Sequence, residues 1–148
     1  MASDADIRRL PDDPDLRVEI STGTEHWQVG EITLVVAGSG DVEVIHRQAG
    51  TETRYTGSLD HDQLERFSRG LADNGFLELA PTRTEYVPDE STVTLALRRG
   101  GDDLHRAFLP EGERHDRDEL DRLIRDYEQM VERVTGGALP WGSAAQPR

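Results

Sequence analysis

The 148-residue sequence contains no cysteine and no lysine. Without thiols, disulfides, thiolate nucleophiles and thiolate zinc sites are excluded. Without lysine, so are Schiff-base chemistry, a P-loop lysine and lysine modification. All seventeen basic residues are therefore arginine, set against thirty acidic ones for a net charge of -13 and a pI near 4.7. This shortage of positive charge argues against duplex DNA, RNA or an anionic membrane as a partner, because each requires a basic surface. A cationic or uncharged partner stays open. Beside abundant Arg, Gly, Asp and Ala, the missing Lys and Cys read first as a high-GC coding bias.

Long apolar runs are also absent. None approaches the ~20 residues of a membrane-spanning helix. The stretch from Met1 to Pro14 has neither the basic start nor the apolar core of a signal peptide, and the expectation is a soluble, cytoplasmic protein. Leu, Ile, Val and Phe number 33 of 148 residues, about 22%, just above the level at which strong net charge implies disorder. Pattern therefore has to decide whether the chain folds.

Residues 1–16 carry five Asp, two Arg and two Pro among scattered apolar side chains, which predicts a mobile acidic tail. Residues 135–148, rich in Gly and Pro, read as a second tail with Trp141 as its one anchor. Between them, residues 17–134 form one domain, and the acidity belongs to it, since the first tail contributes -3 and the second +1.

Ile32, Leu34 and Val36 alternate as a strand, Gly38 to Asp41 turns, Val42 to Arg47 returns, and Thr51 to Thr56 follows after Gly50, giving a three-stranded antiparallel meander. Asp60 with Gln63 forms a capping box ahead of Leu64, Phe67 and Leu71, and Asn74-Gly75 ends that helix. A second hairpin runs through Val93, Leu95 and Leu97, turns at Gly100-Gly101, and returns from Leu104 to Leu109. Leu120, Leu123, Ile124, Tyr127, Met130, Val131 and Val134 repeat at helical spacing, with Asp116 and Glu119 as a capping box and Gly136-Gly137 as a stop. The prediction is an α+β fold, an antiparallel sheet from the meander and the hairpin with two helices on one face. Short matches between the halves support a repeated strand-strand-helix plan better than a duplication.

None of His26, His46, His61, His105 and His115 falls in a metal-binding spacing, so no metal site and no cofactor are expected. His46 and His105 lie in predicted strands that sheet pairing could bring together. Asp12-Asp13-Pro14-Asp15 lacks the ligand spacing of a calcium loop. Ser39 between two glycines joins two strands, whereas a nucleophile elbow joins a strand to a helix. Glu43 is flanked by Val42 and Val44, but alternation turns it to the opposite face. No carboxylate is stranded on an apolar face, where burial would tune it for acid-base work.

Glu85, Tyr86, Asp89 and Glu90 put an aromatic and three acids around Pro88 in one loop. They suit recognition of a basic partner, with Tyr86 as anchor, although Pro88-Asp89 is also ordinary turn chemistry. Trp27 reads as part of the core edge. Trp141 fits equally a recognition segment or a tail folded back on the sheet. Loop acids at 85–90, 102–103 and 111–113 would form one rim if the fold brought them together. Arginines interspersed with acids on both helices speak against an acidic stripe that mimics DNA.

The order of these elements, with Ser58-Leu59-Asp60 leading into the first helix and Asn74-Gly75-Phe76-Leu77-Glu78-Leu79 leaving it, resembles emfourin, a small bacterial inhibitor of thermolysin-like metalloproteases. The resemblance covers residues 31–134, and it implies an inhibitor-like protein-binding function. The N-terminal extension and the Gly-Ala-Leu-Pro-Trp-Gly tail depart from it, and no inhibitory residue is carried across. The sequence thus predicts a non-enzymatic acidic binding module (inhibitor, immunity factor or assembly subunit) that contacts another protein through Glu85, Tyr86, Asp89, Glu90 and Trp141. The rival expectation is a small enzyme or ligand-binding protein with a site built from His46, His105 and loop carboxylates.

Overall fold

The computed structural model describes residues 3–23, 30–79 and 91–137. A short helix α1 (Asp4–Arg8) and a 3-10 turn (Leu10–Asp12) precede β1 (Leu16–Thr22). Then come β2 (Glu31–Ala37), β3 (Asp41–Gln48), β4 (Thr51–Ser58), α2 (His61–Asp73), β5 (Thr92–Arg99), β6 (Asp102–Pro110), a second 3-10 turn (Glu111–His115) and α3 (Asp118–Thr135). The six strands form one sheet in the order β4-β3-β2-β1-β5-β6, and every neighbouring pair is antiparallel. The α+β architecture, the meander and the second hairpin are as the sequence predicts.

One strand more than predicted is present, and it lies at the centre. Leu16, Val18, Ile20 and Thr22 of β1 are buried while the residues between them are not, the alternation of a strand with one covered face. Pairing β2 on one side and β5 on the other, β1 joins the meander to the hairpin. Rows of Val36, Val18 and Leu97, and of Leu34, Ile20 and Leu95, cross the sheet on this covered side. All of these residues belong to one core with Leu64, Phe67 and Leu71 of α2 and Leu120, Leu123, Ile124, Tyr127 and Val131 of α3.

The predicted capping box of α2 is formed: Asp60 Oδ1 accepts from the Gln63 amide at 2.8 Å, and Gln63 Oε1 accepts from the Asp60 amide at 2.9 Å. Asn74 and the left-handed Gly75 close that helix, and Gly136 closes α3. The capping box predicted for α3 does not form. A 3-10 turn takes up residues through His115, and Arg117 becomes the N-cap with no side-chain cap bond.

The predicted N-terminal tail is corrected as well, because Ile7 and Leu10 are completely buried in the core. Arg8 meets Asp73 at 3.1 Å, Asp12 meets His61 at 3.1 Å, and Asp13 meets Arg99 at 2.9 Å. The segment crosses the β2-β3 turn so closely that a side chain on Gly38 would collide with the carbonyl oxygens of Leu10 and Asp13. Two well-placed apolar residues, two ion pairs and the Asp12–His61 hydrogen bond hold a stretch whose composition alone argues for disorder.

Candidate functional site

Glu85, Tyr86, Asp89, Glu90 and Trp141 lie outside the described residues, as does Trp27. The two histidines of the rival expectation are not brought together. His46 is on β3 and His105 on β6, with β2, β1 and β5 between them, so four strand spacings of ~4.8 Å separate them by roughly 19 Å. His105 instead packs against the Phe76 ring at a centroid distance of 6.2 Å, with its Nε2 buried and without a hydrogen bond. Loss of water lowers its pKa and favours the neutral ring. Among the described residues, no three His, Asp or Glu side chains are grouped to hold a metal ion.

Of the loop acids, those at 85–90 lie outside the described residues, and those at 102–103 and 111–113 do not share a rim. Asp102 and Asp103 open β6, while Glu111 and Glu113 follow its far end, roughly 27 Å away along an extended strand. Of the four described loop acids, three are engaged within the fold. Asp103 pairs with Arg98 and Arg106, Glu113 with Arg117, and Glu111 accepts from the Ser91 hydroxyl at 2.5 Å.

Among the described residues, the face of the sheet opposite the core is left open. Strand registers arrange it in rows. One row reads Thr56, Glu43, Val35, Glu19, Ala96, Arg106 from β4 to β6; the next reads Arg54, Ile45, Thr33, Ser21, Thr94, Phe108. The second row holds three adjacent hydroxyl side chains, Thr33, Ser21 and Thr94, between Ile45 and Phe108. These rows and their neighbours line a shallow cavity of about 280 Å³. Ile45 and Ala96 face this side yet are buried, as expected where long charged side chains lie over apolar neighbours. Phe108, 55% exposed, is the one large hydrophobic side chain exposed among the described residues.

Ions flank this hydroxyl row in two chains. On the β3-β4 side, Glu31, Arg47, Glu52, Arg54 and Glu43 follow one another at 3.2, 2.9, 2.9 and 2.9 Å. On the β5-β6 side, Glu19, Arg98, Asp103 and Arg106 do so at 3.4, 2.8 and 3.1 Å. Arg54, then Arg47, hold the Glu52 carboxyl below the usual range, and Arg106 does the same for Asp103. Glu43 is thus a partner of Arg54, not a buried acid. Pairs this exposed are screened by solvent and add little to stability, so they organise the surface more than they stabilise the fold. Arg17 lines the same cavity and has no side-chain partner among the described residues.

Counting Asp41 and Arg17, the face carries six acids and five arginines, a net charge of -1. Nearly all of the chain's -13 therefore belongs elsewhere. The sequence carries a signal for this surface in Leu34-Val35-Val36 and Val44-Ile45, where apolar residues continue through positions that alternation assigns to solvent. Phe108 is harder to read, because Ala107 and Leu109 on either side are buried.

Among the described residues, no helix is long and apolar enough to cross a membrane. No protein-family model matches the sequence, and no curated protein matches it significantly.

Proposed function

We propose that this chain is a non-enzymatic protein-binding module that docks another protein on the open face of its sheet, and that the docked surface is close to neutral and of mixed charge. The observation that carries this reading is the near balance of charge on that face, with a row of hydroxyl and aliphatic side chains among its paired ions, on a molecule of charge -13. A strongly basic partner would be drawn to the acidic remainder of the molecule, whereas this face offers it no excess of carboxylate. Interface centres are depleted in charge and anchored by aromatic residues, with polar groups at the rim. The three hydroxyls and Ile45 supply uncharged contact area within the face, Phe108 on the edge strand β6 supplies an exposed aromatic anchor, and the paired ions flank them, with Glu19 on the central strand.

Five inter-strand spacings and about five residues per strand give a footprint on the order of 400 Å². That is about half of the ~800 Å² per partner of a standard stable interface. The reading is therefore of a transient complex, extended by Glu85, Tyr86, Asp89, Glu90 or Trp141 if those residues also touch the partner. A cytoplasmic location goes with it. The emfourin-like layout makes a thermolysin-like metalloprotease one partner to assay directly.

The test is affinity capture from the native cell with the wild-type chain and with Phe108→Ser, Thr33→Arg, Tyr86→Ala and Trp141→Ala, followed by titration of the purified partner. Loss of the partner in Phe108→Ser and Thr33→Arg supports the docking face. Full retention in both overturns it, as does turnover of a substrate by the purified chain. Unchanged binding by Tyr86→Ala and Trp141→Ala would remove those two residues from the contact while leaving the face in place.

A further inference from the structure

Between α2 and α3, on the far side of the molecule from the open sheet face, a groove of about 350 Å³ falls within the ~300–1,000 Å³ range of small-ligand sites. The helices run antiparallel along it. Arg122 of α3 donates to Asn74 Oδ1 just beyond the end of α2 at 3.0 Å, Asp126 lies beside Gly70, and Arg133 lines the groove together with Gln63 near the start of α2. Phe67 and Met130 supply its apolar lining.

Three exposed charged side chains line this groove. Arg66, Arg133 and Asp126 make no hydrogen bond or ion pair among the described residues. Elsewhere ten of the fifteen described arginines have a carboxylate within 4.0 Å. Opposite charges thus line one groove without pairing. Asp126 and Arg133 are seven residues apart on α3, a rise of roughly 10 Å, and Arg66 is one helical turn from Gly70 on α2 toward the Arg133 end.

Gly70 adds an independent observation. Glycine in a helix interior destabilises it relative to alanine, yet an added methyl would meet only Asp126 Oδ2, at 3.4 Å, an ordinary contact. Packing does not demand this glycine. The Asp126 carboxylate lies over this glycine, where an added methyl would sit against it. That carboxylate is pushed above its usual pKa by loss of water, even though part of it still faces solvent.

We propose that the groove binds a short zwitterionic peptide of two or three residues, its amino group at Asp126, its apolar side chains on Phe67 and Met130, and its carboxylate between Arg66 and Arg133. A peptide advances 3.3–3.6 Å per residue, so three residues span roughly 10 Å, matching the separation of charges on α3. A simple anion would leave Asp126 unanswered beside it, and a simple cation would face two arginines. The site is independent of the docking face and stands or falls separately.

The test uses the full chain and the tripeptide Ala-Leu-Ala in three forms: free, N-acetylated and C-amidated. Binding is read by calorimetry and by amide chemical shifts. The free peptide is expected to shift the resonances of α2 and α3 around the groove, and blocking either end is expected to weaken binding about tenfold, as loss of a charge-assisted contact does. In Asp126→Asn the free and acetylated peptides should bind alike. In Arg66→Ala/Arg133→Ala the free and amidated peptides should bind alike. Gly70→Ala should raise the thermal midpoint yet weaken binding about tenfold, a combination that a purely structural glycine does not give. No groove shifts with free peptide at ~10 mM, where even a 1 mM affinity saturates most sites, would overturn the proposal. So would equal affinity for all three peptides, or undiminished binding by Gly70→Ala.

Discussion

The hydroxyl of Tyr127, completely buried on α3, donates to the carbonyl oxygen of Ile32 on β2 at 2.6 Å and lies 2.9 Å from the hydroxyl of Thr22 on β1. One side chain thereby ties the long helix to two neighbouring strands at the end of the sheet where β1 stops, and its burial raises the phenol pKa well above the ordinary value. Tyr127→Phe should leave a carbonyl and a hydroxyl buried without that partner and cost ~1–3 kcal/mol. Urea unfolding measures this. Adding Thr22→Val should cost less in the Tyr127→Phe background than in the wild type, because the hydroxyl it removes has already lost its partner. Additive effects would show that the two hydroxyls act independently.

Gly38 should be the least replaceable glycine whose backbone angles any residue can adopt. Its φ is not positive, so Gly38→Ala meets no backbone penalty, only the carbonyl oxygens of Leu10 and Asp13. Forcing the N-terminal segment aside should cost ~1–3 kcal/mol or more and uncover Ile7 and Leu10. Gly101→Ala, where an added methyl meets nothing within 4 Å, is the control. Equal melting temperatures for the two variants would mean that residues 3–15 do not pack as described.

How far the sequence discloses this fold depends on where the information is stored. α2 is legible because Asp60, Gln63, Asn74 and Gly75 mark its ends locally, and the turns at Gly40, Gly50 and Gly100 are legible because positive φ selects glycine. β1 is not, although Leu16, Val18 and Ile20 alternate, because the segment follows a Pro- and Asp-rich stretch and its central place depends on pairing with Leu34 and Leu95, far away in the chain. Ile7 and Leu10 are concealed in the same way. Their segment reaches the core by passing its Leu10 and Asp13 carbonyls close over Gly38, in another part of the sequence. As for the candidate sites, Ile45 and Val35 advertise the open face through apolar runs, whereas Arg66, Asp126 and Arg133 look like any solvated helix positions until the helices are set side by side.

Two histidines should give the stability opposite dependences on pH. His105 has a lowered pKa from burial, so its contribution is present above the unfolded value near 6.5 and is lost as pH falls through the folded value, because the unfolded chain takes up the proton first. His61 has a raised pKa, chiefly through its hydrogen bond to Asp12. Its contribution is present below 6.5 and is lost as pH rises through the folded value. Denaturant unfolding of His105→Leu between pH 5 and 7.5 should therefore lose less stability on acidification than the wild type, and His61→Ala should lose more. The reverse order would contradict both placements.

The ion chains on the open face should prove nearly dispensable for folding. Glu52→Gln separates Arg47 from Arg54, both exposed, and should leave the denaturant midpoint close to that of the wild type, because solvent screens such pairs. If the same substitution leaves partner binding within a few-fold, the ions form a rim; a loss of several hundredfold would move the centre of the interface onto them.

The open face as the docking surface is tested most directly by calorimetric titration of the captured partner against two charge-altering variants. Thr33→Arg places a cation in the hydroxyl row, and Glu119→Arg places one on the exposed side of α3, opposite the open face. Thr33→Arg should weaken binding tenfold or more, about 1.4 kcal/mol or greater, while Glu119→Arg stays close to the wild type at physiological salt. Unaltered affinity in Thr33→Arg, with the loss appearing in Glu119→Arg, would place the partner on the helices and contradict the account.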